Sequence, residues 1–264
     1  MKKCWFFALF VALSFLASAQ NSSNFKAIYR IDYTPEVNVV VSKTEFALLE
    51  IYGVGSLFST DNLLKQDSIK ALLRENKIRV QEVMNNKYPK TVFSSYIEKQ
   101  YNEKSMKVLD RIVTNHYHYV QPNKLVWTLS ADTMRIQNLS CQKSATSYEG
   151  RDYIAWYTTE IPISDGPYKF WGLPGLIVKI YDTEMKYIFT LQAFARNSSN
   201  KILSMPFKTS LLEVSFEKFK ALKKEAIENP DQILKQSGFE LRSTNTTPRH
   251  RPVDAATTLL RCVK

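Results

Sequence analysis

GPYKFWGLPGLIVKIYD, Gly166 to Asp182, is the stretch whose reading decides the fold. Two glycine-proline breaks bracket Tyr168, Phe170 and Trp171. In Leu173-Pro174-Gly175-Leu176, proline presets φ for the second turn position and glycine accepts a positive φ at the third, which predicts a type II turn. Leu176 to Tyr181 is β-branched and aromatic, so a strand leaves that turn. Leu176, Val178 and Ile180 share one face of it, and Ile177 and Lys179 the other. The stretch holds no activated nucleophile, metal-ligand set or phosphate loop.

Upstream lie Cys141-Gln142-Lys143, Gly150-Arg151, Ala155-Trp156-Tyr157-Thr158 and Glu160-Ile161-Pro162-Ile163-Ser164, with a weaker echo at Ser56-Leu57-Phe58-Ser59. With Gly172-Leu173-Pro174-Gly175-Leu176-Ile177, these residues resemble the GLPGLI family of secreted Bacteroidetes proteins over roughly Trp127 to Asp182. That family brings no settled activity and no agreed catalytic residues, so the resemblance implies export and a shared fold, and no reaction.

Outward from this centre the chain reads as β-rich. Alternation over Phe25 to Thr34 suits a strand with one solvated face, and Glu45 to Tyr52 a second. Runs at Thr91–Tyr101, Met106–Thr114, Tyr117–Val120, Leu125–Leu129, Met134–Tyr148, Asp152–Thr158 and Tyr187–Phe194 add further strands. Glu149-Gly150 predicts a hairpin, and Thr183 to Lys186 another. Asp61 caps an amphipathic helix running to about Asn76, and Ser215 caps a second that stops at Pro230. Asp231 caps a further short turn of helix.

The expected architecture is α+β and mainly antiparallel β: a large curled, half-barrel-like sheet with two amphipathic helices packed on its concave face. It resembles the half-open barrels of periplasmic lipoprotein carriers, an analogy of fold that carries no function. One domain spans 20–242, and the Ser/Thr/Pro/Arg-rich 243–264 reads as a tail.

At the start, Lys2 and Lys3 precede an apolar run from Cys4 to Leu16, and Ala17-Ser18-Ala19 offers a peptidase site. This predicts a signal peptide at 1–19 cleaved after Ala19, and a periplasmic or extracellular protein that does not span the membrane afterwards. Removing two lysines lowers the formal charge from +11 to +9 (11 − 2). The basic residues are interleaved with acids and no nucleic-acid motif is present, so an anionic membrane surface or an acidic partner suits this balance better than nucleic acid. Cys141 and Cys262 would remain; their spacing does not show that they meet, and the expectation is no disulfide.

His116 and His118 share one strand face at a metal-compatible spacing, but no third ligand is in register, so no metal and no cofactor are expected. Glu160 and Asp165 flank a proline-containing loop and could divide acid and base roles. Tyr153, Trp156, Tyr157, Tyr168, Phe170 and Trp171 form either core or the wall of a cavity. Tyr157, Tyr168, Phe170, Trp171 and Pro174 are the candidate ligand-binding residues. The reading that follows is a non-enzymatic envelope protein that binds an apolar small molecule or lipid, or another envelope protein such as an outer-membrane transport component. The alternative is a periplasmic hydrolase or redox or metal accessory using the acidic or histidine residues.

Overall fold

The computed structural model describes residues 24–34, 42–85, 88–113, 115–197, 211–230 and 233. The expected leader, His250, Cys262, Asp231 and the 243–264 tail lie outside the described residues. Among the described residues no helix is long and apolar enough to cross a membrane.

Among the described residues twelve strands form one sheet in the order β12-β6-β5-β4-β3-β2-β1-β11-β10-β9-β8-β7. Along the chain these are β1 (Phe25–Tyr33), β2 (Lys43–Tyr52), β3 (Gly55–Thr60), β4 (Tyr96–Gln100), β5 (Ser105–Ile112), β6 (Asn115–Pro122), β7 (Thr128–Ile136), β8 (Leu139–Tyr148), β9 (Arg151–Thr158), β10 (Leu176–Asp182), β11 (Tyr187–Arg196) and β12 (Leu211–Glu213). Every pairing is antiparallel except that of β12 with β6. The helices are α1 (Asp61–Arg74), α2 (Val80–Asn85) and α3 (Phe216–Glu228).

The chain itself requires the sheet to curl. β6 stands second in the order and β7 twelfth, yet residues 123–127 alone connect them. Ten flat strand spacings cover about 48 Å, whereas so short a link reaches about 20 Å. The sheet therefore bends until its two ends approach. Gln121 on β6 donates a 3.1 Å hydrogen bond to the Tyr148 hydroxyl on β8, across the remaining gap.

Inside the curl lies one continuous core. Tyr29, Ile31, Leu49, Phe58, Ile97 and Val108 face inward at two-residue spacing and meet Tyr153, Ile180 and Phe189 from the other half of the sheet. The 159–175 connection between β9 and β10 fills the middle of this space.

The helices take opposite faces, unlike the expectation that both lie within. α3 covers the inner face: Phe219 is buried and its ring stands 5.0 Å from that of Tyr119. α1 packs outside, where Leu63 joins Leu57, Tyr96 and Leu109, the outward-facing residues of β3, β4 and β5. The reason is local. Thr60 is both the last residue of β3 and the N-cap of α1, its hydroxyl accepting from Leu63 N at 3.3 Å. The turn into the helix leaves no linker with which to cross the sheet edge.

Other differences have equally plain causes. The Met134–Tyr148 run is broken by Gln137 and Asn138, both at positive φ (49° and 69°), which make a two-residue hairpin loop between β7 and β8. Only Tyr96–Gln100 of the Thr91–Tyr101 run is strand, and β3, α2 and β12 were not expected. The hairpin at Glu149-Gly150, the pairing of β10 with β11 and the Ser215 cap of α3 match expectation.

Candidate functional site

The segment from Asp165 to Ile177 is tightly held on several sides. Gly175 does not serve the positive φ of a type II turn; the left-handed glycine is Gly172, at φ 99°. What Gly175 supplies is space, because a Cβ there would lie 2.0 Å from the Thr158 carbonyl oxygen at the end of β9. Gly166 is wedged similarly, its missing Cβ 2.8 Å from the Phe170 oxygen. Tyr168 adopts φ 53°, a strained conformation for an aromatic residue.

A buried ion pair anchors this segment. Lys99 on β4 and Asp165 are both wholly inaccessible, with Nζ 2.6 Å from Oδ1. The same ammonium donates to the Gly166 carbonyl at 2.6 Å and approaches the Phe170 carbonyl at 3.5 Å. Tyr101 donates to the other Asp165 oxygen at 2.6 Å. Burial, reinforced by the Asp165 charge, pushes the Tyr101 hydroxyl far above its ordinary pKa, so it remains a donor. Burial lowers the Lys99 value while Asp165 opposes that effect. Tyr29 adds a 2.7 Å bond to the Ile177 carbonyl, and Trp127 one of 2.9 Å to the Trp171 carbonyl.

A second buried cation lies in the curl. Lys169 is buried with its ammonium 5.5–5.9 Å from the ring centroids of Tyr119, Tyr148, Tyr168 and Phe216. Glu149 approaches it at 3.4 Å. The cage thus takes its walls from β6, β8, the β9–β10 connection and α3, and desolvated cation–π contacts of this kind reach about 2 kcal/mol. A third buried lysine, Lys223 on α3, meets Asp110 of β5 at 2.8 Å. Sequence reasoning marked none of the three as buried: Lys99 stands on a strand, Lys169 beside the acidic loop residues and Lys223 among the lysines of a helix's polar face, and only tertiary contacts reveal the burial.

The five candidate ligand-binding residues divide sharply. Tyr157, Tyr168, Phe170 and Trp171 are buried within the core cluster. Phe170 stands 4.6 Å from Tyr153, Tyr168 stacks on Phe189 at 6.3 Å, and the Tyr157 hydroxyl bonds Gln142 at 2.8 Å. Pro174 is exposed. The candidate polar residues are dispersed. Asp165 is consumed by Lys99 and Tyr101, Glu160 accepts from Ser140 N at 2.7 Å, and His116 and His118 lie on the outer face of β6. Among the described residues no group of three or more His, Cys, Asp or Glu could hold a metal. Cys141 is buried on β8, where burial pushes its thiol up to about 11.

The sheet edge at β7 contrasts with this locked interior. β7 is the last strand in the order, and all its residues except Ser130 and Ile136 are exposed. Leu129 and Met134 are 54% and 44% exposed there, and Val126 just before it is 78% exposed. The β7–β8 ladder slips between Leu129 and Thr133, which splits the edge into two short runs.

Residues 148–179 match the model of a family described as a protein of unknown function (Porph_ging). The match takes in the whole Asp165–Ile177 segment, the Gly172–Ile177 motif included, and stops short of Cys141 and of the Ser56–Ser59 echo. No curated protein matches the sequence. Among solved structures the chain is similar to PNGF-II in two crystal forms. For the P21 form the TM-score is 0.51 at 12% identity, covering 76% of this chain and 33% of that one. For the C2 form it is 0.54 at 12% identity, covering 76% and 32%. The chain thus spans about a third of the length of those structures, and at this identity the likeness is one of fold alone.

Proposed function

We propose that this is an exported, non-catalytic binding module whose partner is another envelope protein, received by addition of a strand to β7. The observation that carries the reading is the contrast between an edge exposed on both faces and an interior already occupied. The rings that could have walled an apolar cavity are packed against one another, so a lipid or apolar ligand reaching them must displace core side chains. An edge strand, by contrast, presents unpaired N–H and C=O groups, and a partner strand supplies main-chain bonds while Leu129 and Met134 offer apolar contacts. A hydrolase reading has less support: Lys99 spends its donors on Asp165 and two carbonyls, and the acids and imidazoles lie in three separate places.

Proline tests this directly, since it removes one N–H from a ladder. Of Thr133→Pro and Met134→Pro, one deletes an N–H that faces β8 and the other an N–H that faces outward. The outward substitution is expected to leave the unfolding temperature almost unchanged and to abolish co-purification of the partner from the protein's own envelope fraction. Unchanged recovery of the same partner with both variants contradicts the reading.

A further inference from the structure

On the outer face, a small cleft opens between side chains of α1 and those of β4, β5 and β6, away from both β7 and the anchored segment. Lys70, Arg111 and His116 line it beside Asp67 and Asp110, and its cavity volume of about 20 Å³ suits a small group and excludes an acyl chain. The two acids are spoken for. Asp67 accepts 2.6 Å and 2.9 Å bonds from the Tyr96 hydroxyl and Lys70. Asp110 accepts from Ser94 and Arg111 N, and pairs with Lys223 through the sheet.

With Lys70 paired to Asp67 and Lys223 to Asp110, Arg111 is the one cation lining the cleft for which no lining acid is left. Burial holds the His116 imidazole below its ordinary value, and Arg111, Lys70 and Arg74 add to that effect, with Asp67 opposing. Arg111 projects from the exposed side of β5, where Arg111 and His116 are directly paired across the β5–β6 ladder. A planar fork of donors beside an imidazole and an ammonium is the arrangement that receives a tetrahedral oxyanion. An anion there would be met by the Arg111 guanidinium and the Lys70 ammonium and would let the neutral His116 take up a proton.

We propose that this cleft is an anion-binding site for a phosphoryl group, with Arg111 as its principal ligand and Lys70 and His116 beside it. The chemistry is shared by free phosphate and by the phosphodiester of a lipid headgroup, and the net positive charge of the chain favours either. It is independent of the strand-addition reading, because it lies on the face covered by α1.

The test follows the His116 imidazole by NMR in the full-length protein, titrated with inorganic phosphate and, separately, with phosphatidylcholine vesicles with and without phosphatidylglycerol. Saturable perturbation of His116 with a raised pKa is expected for phosphate, for phosphatidylglycerol vesicles or for both, and which of these acts names the source. Arg111 is exposed, so Arg111→Ala is expected to keep the fold and to weaken binding roughly tenfold or more, with partial recovery in Arg111→Lys. No response of His116 to either anion, or a response that Arg111→Ala leaves unchanged, overturns the proposal.

Discussion

Each glycine of the central motif is required for a different reason, and the difference is measurable. Gly175 sits against the Thr158 carbonyl, so Gly175→Ala forces backbone against backbone. A loss of about 2–3 kcal/mol is expected, seen as a fall of roughly 5–10 °C in unfolding temperature. At Gly172 the nearest atom to an added Cβ is the tip of the Asn123 side chain, 3.2 Å away, and φ is 99°. Gly172→Ala is therefore expected to cost about 1–2 kcal/mol through backbone strain alone. Equal effects from the two substitutions would contradict this assignment. The sequence displayed both glycines but not their roles, because a close approach of β9 is invisible in a local pattern. The same limit explains the turn expected at Leu173–Leu176, where proline-glycine chemistry pointed to φ and tertiary contact decided the matter.

Among the described residues one ion pair ties α3 to the sheet, that of Lys223 with Asp110, beside the contacts of the Phe216 and Phe219 rings with Tyr119. Burial would raise Asp110, but Lys223, Ser94 and Arg111 N hold its carboxyl below the ordinary aspartate value. A depressed carboxyl contributes stability that is present above its unfolded value, near pH ~3.9, and lost as pH falls through the lower folded value. Amides of residues 216–228 are thus expected to lose hydrogen-exchange protection on acidification before those of β1 and β2 do. Asp110→Asn is expected to remove that pH dependence; protection of α3 that survives until the whole sheet unfolds would contradict the clamp. Most strands and both long helices were legible from alternation, from the spacing of apolar residues and from the Ser215 cap. What was not legible is the face each helix takes. That depends on Thr60 closing β3 directly into α1, and on the outward Leu57, Tyr96 and Leu109 awaiting it.

The whole molecule joins a curled sheet, a segment locked inside it and an exposed edge strand left outside. Antiparallel β architecture was readable in the chain, while the closeness of the two sheet ends came from topology, through the brevity of the 123–127 link. Of the six rings read as one group, five are buried in the core and Trp156 is half-buried against it, and alternation cannot tell a cavity wall from a packed core. Lys99 and Asp165 decide between the two, since they fix where Gly166 to Ile177 runs. A double-mutant cycle in urea on Lys99→Met and Asp165→Asn measures that anchor directly. Each single change is expected to cost about 3–5 kcal/mol, because it strands a buried charge, and the double mutant much less than the sum. Single variants at least as stable as the parent, or costs that add within about 0.5 kcal/mol, would contradict the anchor and make the pair a reserved functional dyad.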